Sequence, residues 1–302
     1  MNYKLIDGFR TPTYYKEIAD HAEAREPFYG RRILPLAKRL MRAQNIEVTV
    51  TGAEFIPAEG GALLAVNHTG YYDFILGGIP AYLRGRRLVR FMAKKSIFEV
   101  PVVGAMMRKM GHLPVDRSAG ASSVEEAVAR LRGGELVGIF PEGTISRSFE
   151  LQDFKTGAAR IAHEAGVPLV PVVIWGSQRI WTKGLKKNLG RSFKPVMIRV
   201  GAPIPLSGDP AEDTALLKEA MDYELGLVRA EYEKEYGPHP ELAGWVPAAM
   251  GGGAPTIDEA KSHRRRRAGA AEGLALALWL LCVCALVCPW LRGFVTRGFT
   301  LL

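Results

Sequence analysis

Residues 62–73 read ALLAVNHTGYYD, and residues 135–144 read ELVGIFPEGT. In both stretches an apolar run of strand length leads directly into polar residues that can carry chemistry, His68 in the first and Glu142 in the second. Nearly continuous apolar runs are typical of strands that are covered on both faces of a parallel sheet. Such sheets bind their ligands at the carboxyl ends of the strands. The two stretches therefore predict an α/β fold whose functional site lies where these strands end.

Other apolar runs, rich in β-branched residues, alternate with helical patterns along the chain. Candidate strands cover residues 46–51, 62–66, 88–93, 112–115, 135–140, 169–174 and 196–200. Candidate helices lie near residues 71–83, 99–110, 122–132, 156–165 and 211–235. This alternation is typical of helices packed on both faces of a largely parallel sheet. We therefore predict one α/β domain over residues 46–238, with a sheet of about seven strands flanked by helices.

The N-terminal segment, residues 1–45, contains a basic stretch. Residues 27–44 read PFYGRRILPLAKRLMRAQ, in which apolar residues recur at helical spacing and five cations occur without an acid. A helix of this kind lies in a membrane interface, or it packs one face on the core of its own domain. The pattern is equally compatible with both, so it predicts a basic amphipathic helix and leaves its environment open.

The C-terminal part divides into a linker and an apolar tail. Residues 239–267 are rich in Gly and Pro and end in HRRRR, which predicts a flexible basic linker. Within the tail, residues 268–302, the stretch 274–291 reads LALALWLLCVCALVCPWL and carries no charge. Its length of roughly 27 Å as a helix predicts a transmembrane helix, and a buried core helix is the alternative. The cations before it would place the rest of the chain on the cytoplasmic face of the cell membrane.

The net charge of +9 is concentrated near the C-terminus, beside the apolar stretch. That placement suits an anionic membrane surface better than a nucleic acid, so we expect membrane lipids and no nucleic acid among the partners. A solvated basic linker is the alternative. The three cysteines, Cys282, Cys284 and Cys288, all lie in the apolar stretch. Neither a disulfide framework nor a zinc site is therefore expected in the α/β domain.

His68 and Asp73 are the first candidates for catalysis. Histidine is suited to proton transfer near neutral pH, and a carboxylate behind it can hold the imidazole in one tautomer. In a continuous helix, a spacing of five residues would point the two side chains apart, but Gly70 allows a bend between them. A structural histidine is the alternative for this motif taken alone.

Several residues at other strand ends could bind an anion. Arg117 follows a predicted strand, and arginine binds two phosphate oxygens at once. Gly143 permits close approach of the backbone to a ligand, and Thr144 lies next to it. Lys94 and Arg147 add further positive charge. An ion pair, an ordinary turn or a solvated face is the alternative for each of these residues.

Together these segments resemble the glycerolipid acyltransferase family, of the lysophosphatidic acid acyltransferase type. Four ordered blocks carry the resemblance, which covers about residues 30–205. They are NHTGYYD (67–73), GHLPVDR (111–117), FPEGT (140–144) and VPLVPV (167–172), and residues 91–95 and 154–158 also match. Two positions depart from the family pattern. Ile145 stands where the family often has arginine, and His112 stands where it usually has a small or apolar residue.

The resemblance implies an enzyme that transfers a fatty acyl group from acyl-CoA, or from acyl carrier protein, to the sn-2 hydroxyl of 1-acylglycerol 3-phosphate. The product would be phosphatidic acid, made for phospholipid synthesis. The resemblance also implies that His68 removes the hydroxyl proton and that Asp73 orients His68. The residues implied to hold the glycerol phosphate are Arg117, Glu142, Gly143 and Thr144, with Lys94 and Arg147 as further candidates. No metal or organic cofactor is implied, because the acyl carrier is a co-substrate.

Three alternatives are open. The acceptor could be glycerol 3-phosphate, another lysophospholipid or a glycolipid. The chain could be a non-catalytic membrane adaptor that has kept this fold. It could also be a thioesterase or other hydrolase, with water in place of the acceptor. Membrane attachment would suit the acyltransferase, since its acceptor and its product both reside in the bilayer.

Overall fold

The computed structural model describes residues 2–116 and 120–266. Its strands are β1 (Tyr3–Ile6), β2 (Phe9–Pro12), β3 (Ile46–Thr51), β4 (Ala62–Val66), β5 (Val89–Lys94), β6 (Leu113–Val115), β7 (Leu136–Ile139), β8 (Leu169–Trp175) and β9 (Lys194–Val200). They form one mixed sheet in the order β1-β2-β3-β9-β8-β4-β7-β5-β6. The β1–β2 and β8–β9 pairs are antiparallel, and the other neighbouring pairs are parallel.

Helices cover both faces of this sheet. The α-helices are α1 (Leu34–Ala43), α2 (Asp73–Leu76), α3 (Ile79–Leu83), α4 (Lys95–Phe98), α5 (Val103–Lys109), α6 (Gly120–Arg132), α7 (Gly157–Ala165), α8 (Pro210–Tyr236) and α9 (Ile257–Arg266). Short turns of 3-10 helix lie at Ala22–Arg25, Ala53–Phe55, Ser177–Arg179 and Ala248–Met250, and a π turn lies at Tyr29–Ile33. One apolar core joins the sheet to α1–α5, and a second core joins its other face to α6, α7 and α8.

The seven strands expected from the sequence all occur, but the expected count is wrong because the N-terminal segment adds two more. β1 and β2 form a hairpin around Asp7 and Gly8, whose φ angles of 50° and 91° are those that a tight hairpin turn requires. An Asp-Gly pair between two short runs is the signal for such a hairpin, and the mixed polarity of the runs concealed it. β2 then extends the sheet by pairing in parallel with β3.

The predicted transmembrane helix requires a correction. Across the described residues, 2–116 and 120–266, no helix is long enough and apolar enough to cross a bilayer. The stretch on which the prediction was placed, residues 274–291, lies outside the described residues. The fold class of the described chain is therefore a nine-stranded mixed α/β sheet, without the membrane-spanning helix that the sequence suggested.

The segment that the sequence suggested to be a flexible linker packs on the domain over most of its described length. Val246 is buried, and Trp245 lies with its ring 6.4 Å from that of Trp175. Gly252 allows this packing, because a methyl group there would lie 2.0 Å from the carbonyl oxygen of Val246. Gly252 therefore provides room for a close contact within this segment.

The basic helix α1 packs one face on the sheet. Ala37 and Met41 are buried in the core, whereas Arg39 and Arg42 are exposed, as are Arg31 and Arg32 in the π turn before the helix. This is the packing that the surface-helix alternative requires. The exposed face of the helix remains strongly cationic.

His112 is a buried structural residue. Its Nδ1 accepts a hydrogen bond from the backbone N–H of Phe91 at 3.0 Å, and its ring packs edge-on against Phe74 at 4.7 Å between centroids. Burial, together with the nearby positive charge of Arg90, lowers the pKa of His112 to about 3. The imidazole is therefore neutral in the folded protein at any pH above that range.

This neutral histidine should make the protein sensitive to acid. Between pH 6.5 and 3 the unfolded chain binds a proton at His112 and the folded chain does not, so stability falls as the pH falls. We expect a loss of about 2 kcal/mol from this residue between pH 7 and pH 5. Urea unfolding at the two pH values would measure it. His112→Leu should be less stable at pH 7 but lose about 2 kcal/mol less on acidification; an unchanged pH dependence would contradict the assignment.

Candidate active site

The carboxyl ends of β4, β5, β6 and β7 meet at one edge of the sheet, beside a cavity of about 310 Å³. This is the edge at which parallel α/β sheets bind ligands. Most of the cavity wall is apolar and includes Phe74, Met92, Ile97, Val124, Ile139 and Ile161. The side chains with polar atoms in this wall are those of His68, Tyr71, Lys94, Ser123, Thr144, Lys155 and Lys183. The cavity thus combines an apolar surface with a histidine and several cations.

His68 lies in the loop after β4, and Asp73 is the first residue of α2. Nδ1 of His68 lies 3.1 Å from Oδ2 of Asp73. The same oxygen accepts hydrogen bonds from the backbone N–H groups of Thr69 at 2.6 Å and Gly70 at 2.7 Å. Asp73 is fully buried, whereas the side chain of His68 is 18% exposed and lines the cavity. The loop therefore folds around the carboxylate, and the carboxylate holds the imidazole at the cavity wall.

The bend before Asp73 depends on close packing at Gly70. A methyl group there would lie 3.0 Å from the carbonyl oxygen of Trp181 and 3.2 Å from that of Ser177. The backbone N–H of Tyr71 donates to the same Trp181 oxygen at 3.0 Å. Gly70 is not in the left-handed region. We expected it to provide conformational freedom, and what it provides is room for the neighbouring loop.

The contacts around the imidazole determine its protonation pattern. Since Nδ1 faces the carboxylate of Asp73, Nδ1 carries the hydrogen and Nε2 is left as the proton acceptor. The ring of His68 also stacks on Phe140, with 4.1 Å between centroids and 20° between planes. Nε2 can therefore take a proton from a bound hydroxyl and later return it to another group.

Glu142 joins the loop after β4 to the loop after β7. Its Oε1 accepts the backbone N–H of His68 at 2.8 Å, and its Oε2 accepts the backbone N–H of Gln152 at 3.1 Å. Burial raises the pKa of Glu142 to about 8, the negative charge of Asp73 adds to the rise, and the two N–H donors oppose it. Glu142 does not line the cavity. The geometry thus gives it a positioning role, not the phosphate contact that the resemblance implied.

Three lysines line the cavity, at three different places in the chain. Lys94 ends β5, Lys155 precedes α7, and Lys183 follows the 3-10 turn after β8. Nζ of Lys183 donates to Oγ1 of Thr144 at 3.4 Å. Over the described part of the chain, no Asp or Glu side chain lines the cavity. Its charged wall therefore favours an anionic group.

Of the other residues predicted to bind an anion, Gly143 lines the cavity and Arg147 does not. Gly143 lines the cavity with a φ of 64°, and its N–H donates to the carbonyl oxygen of Phe140 at 2.9 Å, which closes the turn. Arg147 does not line the cavity, since its guanidinium packs on Gly184, where a methyl group would lie 2.7 Å from Nη2. Arg117 lies outside the described residues.

Sequence reasoning missed two of the cavity lysines. Lys155 lies in the segment 154–158, which matches the family pattern, so its place beside a motif was a usable signal. Lys183 has no motif around it. It reaches the site because its neighbour Thr182 donates from Oγ1 to the carbonyl oxygen of Thr69 at 2.5 Å. That contact joins segments more than a hundred residues apart and is invisible in the sequence.

Comparisons with known proteins agree on one family. A family model described as Acyltransferase matches residues 47–175. The 1-acyl-sn-glycerol-3-phosphate acyltransferase of Bacillus subtilis is 38% identical over 146 residues, which cover 46% of this chain and 70% of that relative. The enzyme of the same description from Borreliella burgdorferi is 32% identical over 152 residues, which cover 49% of this chain and 59% of that relative.

A solved structure shows the same fold. The crystal structure of the 1-acyl-sn-glycerophosphate acyltransferase from Thermotoga maritima matches with a TM-score of 0.55 and 25% sequence identity. The match covers 70% of this chain and 84% of that protein. Both the catalytic candidates and the cavity lie within the region that the family model covers, apart from Lys183, which follows it.

Proposed function

The chain belongs to the acyltransferase family that includes the 1-acyl-sn-glycerol-3-phosphate acyltransferases, and on this premise we propose that it acylates the sn-2 hydroxyl of 1-acylglycerol 3-phosphate. It is thus an acyltransferase of lipid biosynthesis, which takes a lipid acceptor and an acyl donor. The donor in the proposal is an acyl thioester, either acyl-CoA or acyl carrier protein. The observation that carries the proposal is the His68–Asp73 pair, 3.1 Å apart, at the wall of a cavity that is both apolar and cationic.

The His68–Asp73 pair supports direct transfer of the acyl group from the thioester to the acceptor hydroxyl. Nε2 of His68 takes the hydroxyl proton as the acceptor oxygen attacks the thioester carbonyl, while Asp73 stabilises the imidazolium. The carbon–sulfur bond then breaks, and the departing thiolate takes the proton back from Nε2, so one ester and one thiol result. Direct transfer requires only the base and its carboxylate partner, so a covalent acyl-enzyme is not needed.

The apolar and the cationic parts of the cavity suit different parts of the substrates. Its apolar wall, with Phe74, Met92 and Ile161, suits an acyl chain. Its cations suit the phosphate of the acceptor, for which we propose Lys94 together with Gly143 and Thr144. Arg117 also belongs to this proposal on the family resemblance. The reaction needs no metal or organic cofactor, because the acyl group arrives already activated as a thioester.

We propose that the enzyme works at a membrane surface. Its acceptor and product are both membrane lipids, so a site at the surface avoids extracting them. The exposed cations Arg31 and Arg32, in the π turn before α1, and Arg39, on α1, suit contact with anionic headgroups. This part of the proposal requires only surface contact.

Acyl transfer tests the proposal directly. Radiolabelled oleoyl-CoA would be supplied to the purified full chain with 1-oleoylglycerol 3-phosphate, glycerol 3-phosphate, lysophosphatidylcholine or 1-oleoylglycerol. We expect labelled phosphatidic acid from the first acceptor and slower or no transfer to the others. Preferred transfer to another acceptor would replace the proposed substrate. Release of free fatty acid alone would show a hydrolase. If oleoyl-CoA gives no product, the assay would be repeated with oleoyl-acyl carrier protein, and transfer from that donor would show that only the choice of donor was wrong.

Glu142 should affect turnover more than acceptor binding. Glu142→Gln replaces one carboxylate oxygen by an NH₂ group, which would face a backbone N–H and break one of the two hydrogen bonds. The His68 loop would shift, so we expect kcat to fall by roughly tenfold or more. KM for the lipid acceptor should stay within about threefold, because Glu142 does not line the cavity.

Steady-state kinetics with varied acceptor would separate the two roles of Glu142. A large rise in KM with unchanged kcat would instead support a phosphate contact. Glu164→Gln, at an exposed position on α7, is the matched control and should behave as the wild type. Thermal unfolding of both variants would show whether a loss of activity reflects loss of the fold.

A further inference from the structure

The first part of the loop after β7, residues 140–147, brings a hydroxyl to the cavity but no cation, and Lys155 lies at the far end of the same loop, directly before α7. Thr144 lines the cavity, and so does Ile145, whose side chain is apolar and buried. The next cation in the chain, Arg147, packs on Gly184 and does not line the cavity. The polar group of this loop therefore needs a charge from elsewhere to bind an anion firmly.

Lys183 supplies that charge from a different segment. It follows the 3-10 turn Ser177–Arg179, lines the same cavity as His68, and donates from Nζ to Oγ1 of Thr144 at 3.4 Å. An ammonium group beside a hydroxyl forms a mixed donor set of the kind that binds phosphate oxygens. Lys183 and Thr144 therefore form one candidate anion contact.

The position of Lys183 is linked to that of the base. The two residues before it, Trp181 and Thr182, are both hydrogen-bonded to the loop that carries His68. The N–H of Tyr71 donates to the carbonyl oxygen of Trp181 at 3.0 Å, and Thr182 is bonded to the same loop through its hydroxyl. A group held by Lys183 is therefore held in a defined position relative to the imidazole, which is what proton transfer requires.

We propose that Lys183 binds the phosphate monoester of the lipid acceptor and so directs the adjoining hydroxyl to His68. The inference rests on the proposed function and names a residue outside the family motifs and beyond the matched region, residues 47–175. Lys94 and Lys155 lie on other elements of the cavity wall. Lys183 is the cavity lysine whose flanking backbone is bonded to the histidine loop.

Lys183→Gln tests the inference, since it keeps a polar side chain, only one atom shorter, and removes the charge. We expect KM for 1-oleoylglycerol 3-phosphate to rise by roughly tenfold to a hundredfold, with a change in kcat of about threefold or less. KM for the acyl thioester should be unchanged. The preference for the phosphorylated acceptor over 1-oleoylglycerol, measured as a ratio of kcat/KM values, should fall by the same factor. Lys183→Arg should restore most of that preference, because it restores the charge.

Lys187→Gln is the matched control, because Lys187 lies on the same loop, is exposed, and stacks on Trp181 without lining the cavity. It should leave all these constants within about twofold of the wild-type values. Equal effects from the Lys183 and Lys187 variants, or an unchanged acceptor preference in Lys183→Gln, would overturn the inference while leaving the acyltransferase proposal intact. A wild-type enzyme that does not acylate the phosphorylated acceptor would overturn the proposed function, and the role of Lys183 with it.

Discussion

Replacing His68 with alanine is expected to lower kcat/KM for acyl transfer by roughly 10²- to 10⁴-fold, the contribution of a positioned general base. Nε2 of His68 is the proton acceptor at the cavity wall, because Nδ1 is held by Asp73. Without it, the hydroxyl of the acceptor must attack the thioester while it still carries its proton. Substrate binding should change little, since the apolar wall and the lysines remain in place.

The measurement is phosphatidic acid formation from labelled oleoyl-CoA by the wild type and by His68→Ala at equal protein concentration. His21→Ala is the matched control, because His21 lies outside the cavity and pairs with Glu23 and Glu59 near the surface. The His68 side chain is partly exposed, so its removal should leave the fold intact, as thermal unfolding can show. Activity above a tenth of the wild-type value in folded His68→Ala would remove this residue from the mechanism.

Asp73→Asn is expected to lower kcat by roughly 10²- to 10⁴-fold, with a much smaller change in KM. An amide oxygen can still accept the N–H groups of Thr69 and Gly70, so the loop should keep its shape. The neutral side chain cannot stabilise an imidazolium. The same amide oxygen would also face Nδ1 of His68, because all three contacts are made to the one oxygen Oδ2, so the tautomer is kept and the loss of activity comes from the missing negative charge.

Kinetics of Asp73→Asn should be compared with those of Asp20→Asn, whose carboxylate lies in an exposed ion pair with Arg86. The control should match the wild type within about twofold. A double variant, His68→Ala with Asp73→Asn, should have about the same kcat as the slower of the two single variants, because the two residues act as one unit. If the fold-loss in kcat of the double variant equalled the product of the two single losses, Asp73 would act independently of His68.

Much of the fold could be read from hydrophobic patterning. Strands β3 to β9 fall within a few residues of the stretches predicted for them, because each is an apolar run bounded by turn residues. The hairpin of β1 and β2 was missed because its residues are of mixed polarity. The hairpin is held in the sheet because β2 pairs with β3, and this tertiary contact cannot be predicted from local composition.

The C-terminal part shows how composition misleads when packing is unknown. Glycines and prolines between residues 239 and 256 predicted a flexible linker, yet Val246 is buried, Trp245 lies beside Trp175, and Gly252 contacts the backbone of Val246 closely. Glycine serves mobility and close packing equally well, so its presence alone does not distinguish them. Only the contacts that the segment makes decide which use applies.

Two features of the site follow from the sequence by itself. His68 and Asp73 are near neighbours in the chain, and the carboxyl ends of parallel strands share one edge of the sheet, so the first and third motifs were expected at the same edge. The tertiary structure alone decided the direction in which each side chain points. It turned both oxygens of Glu142 onto backbone amides, placed Arg147 on Gly184 outside the cavity, and brought Lys183 to Thr144. These outcomes depend on contacts between segments far apart in the chain, whose energies are set by packing and not by local residue type.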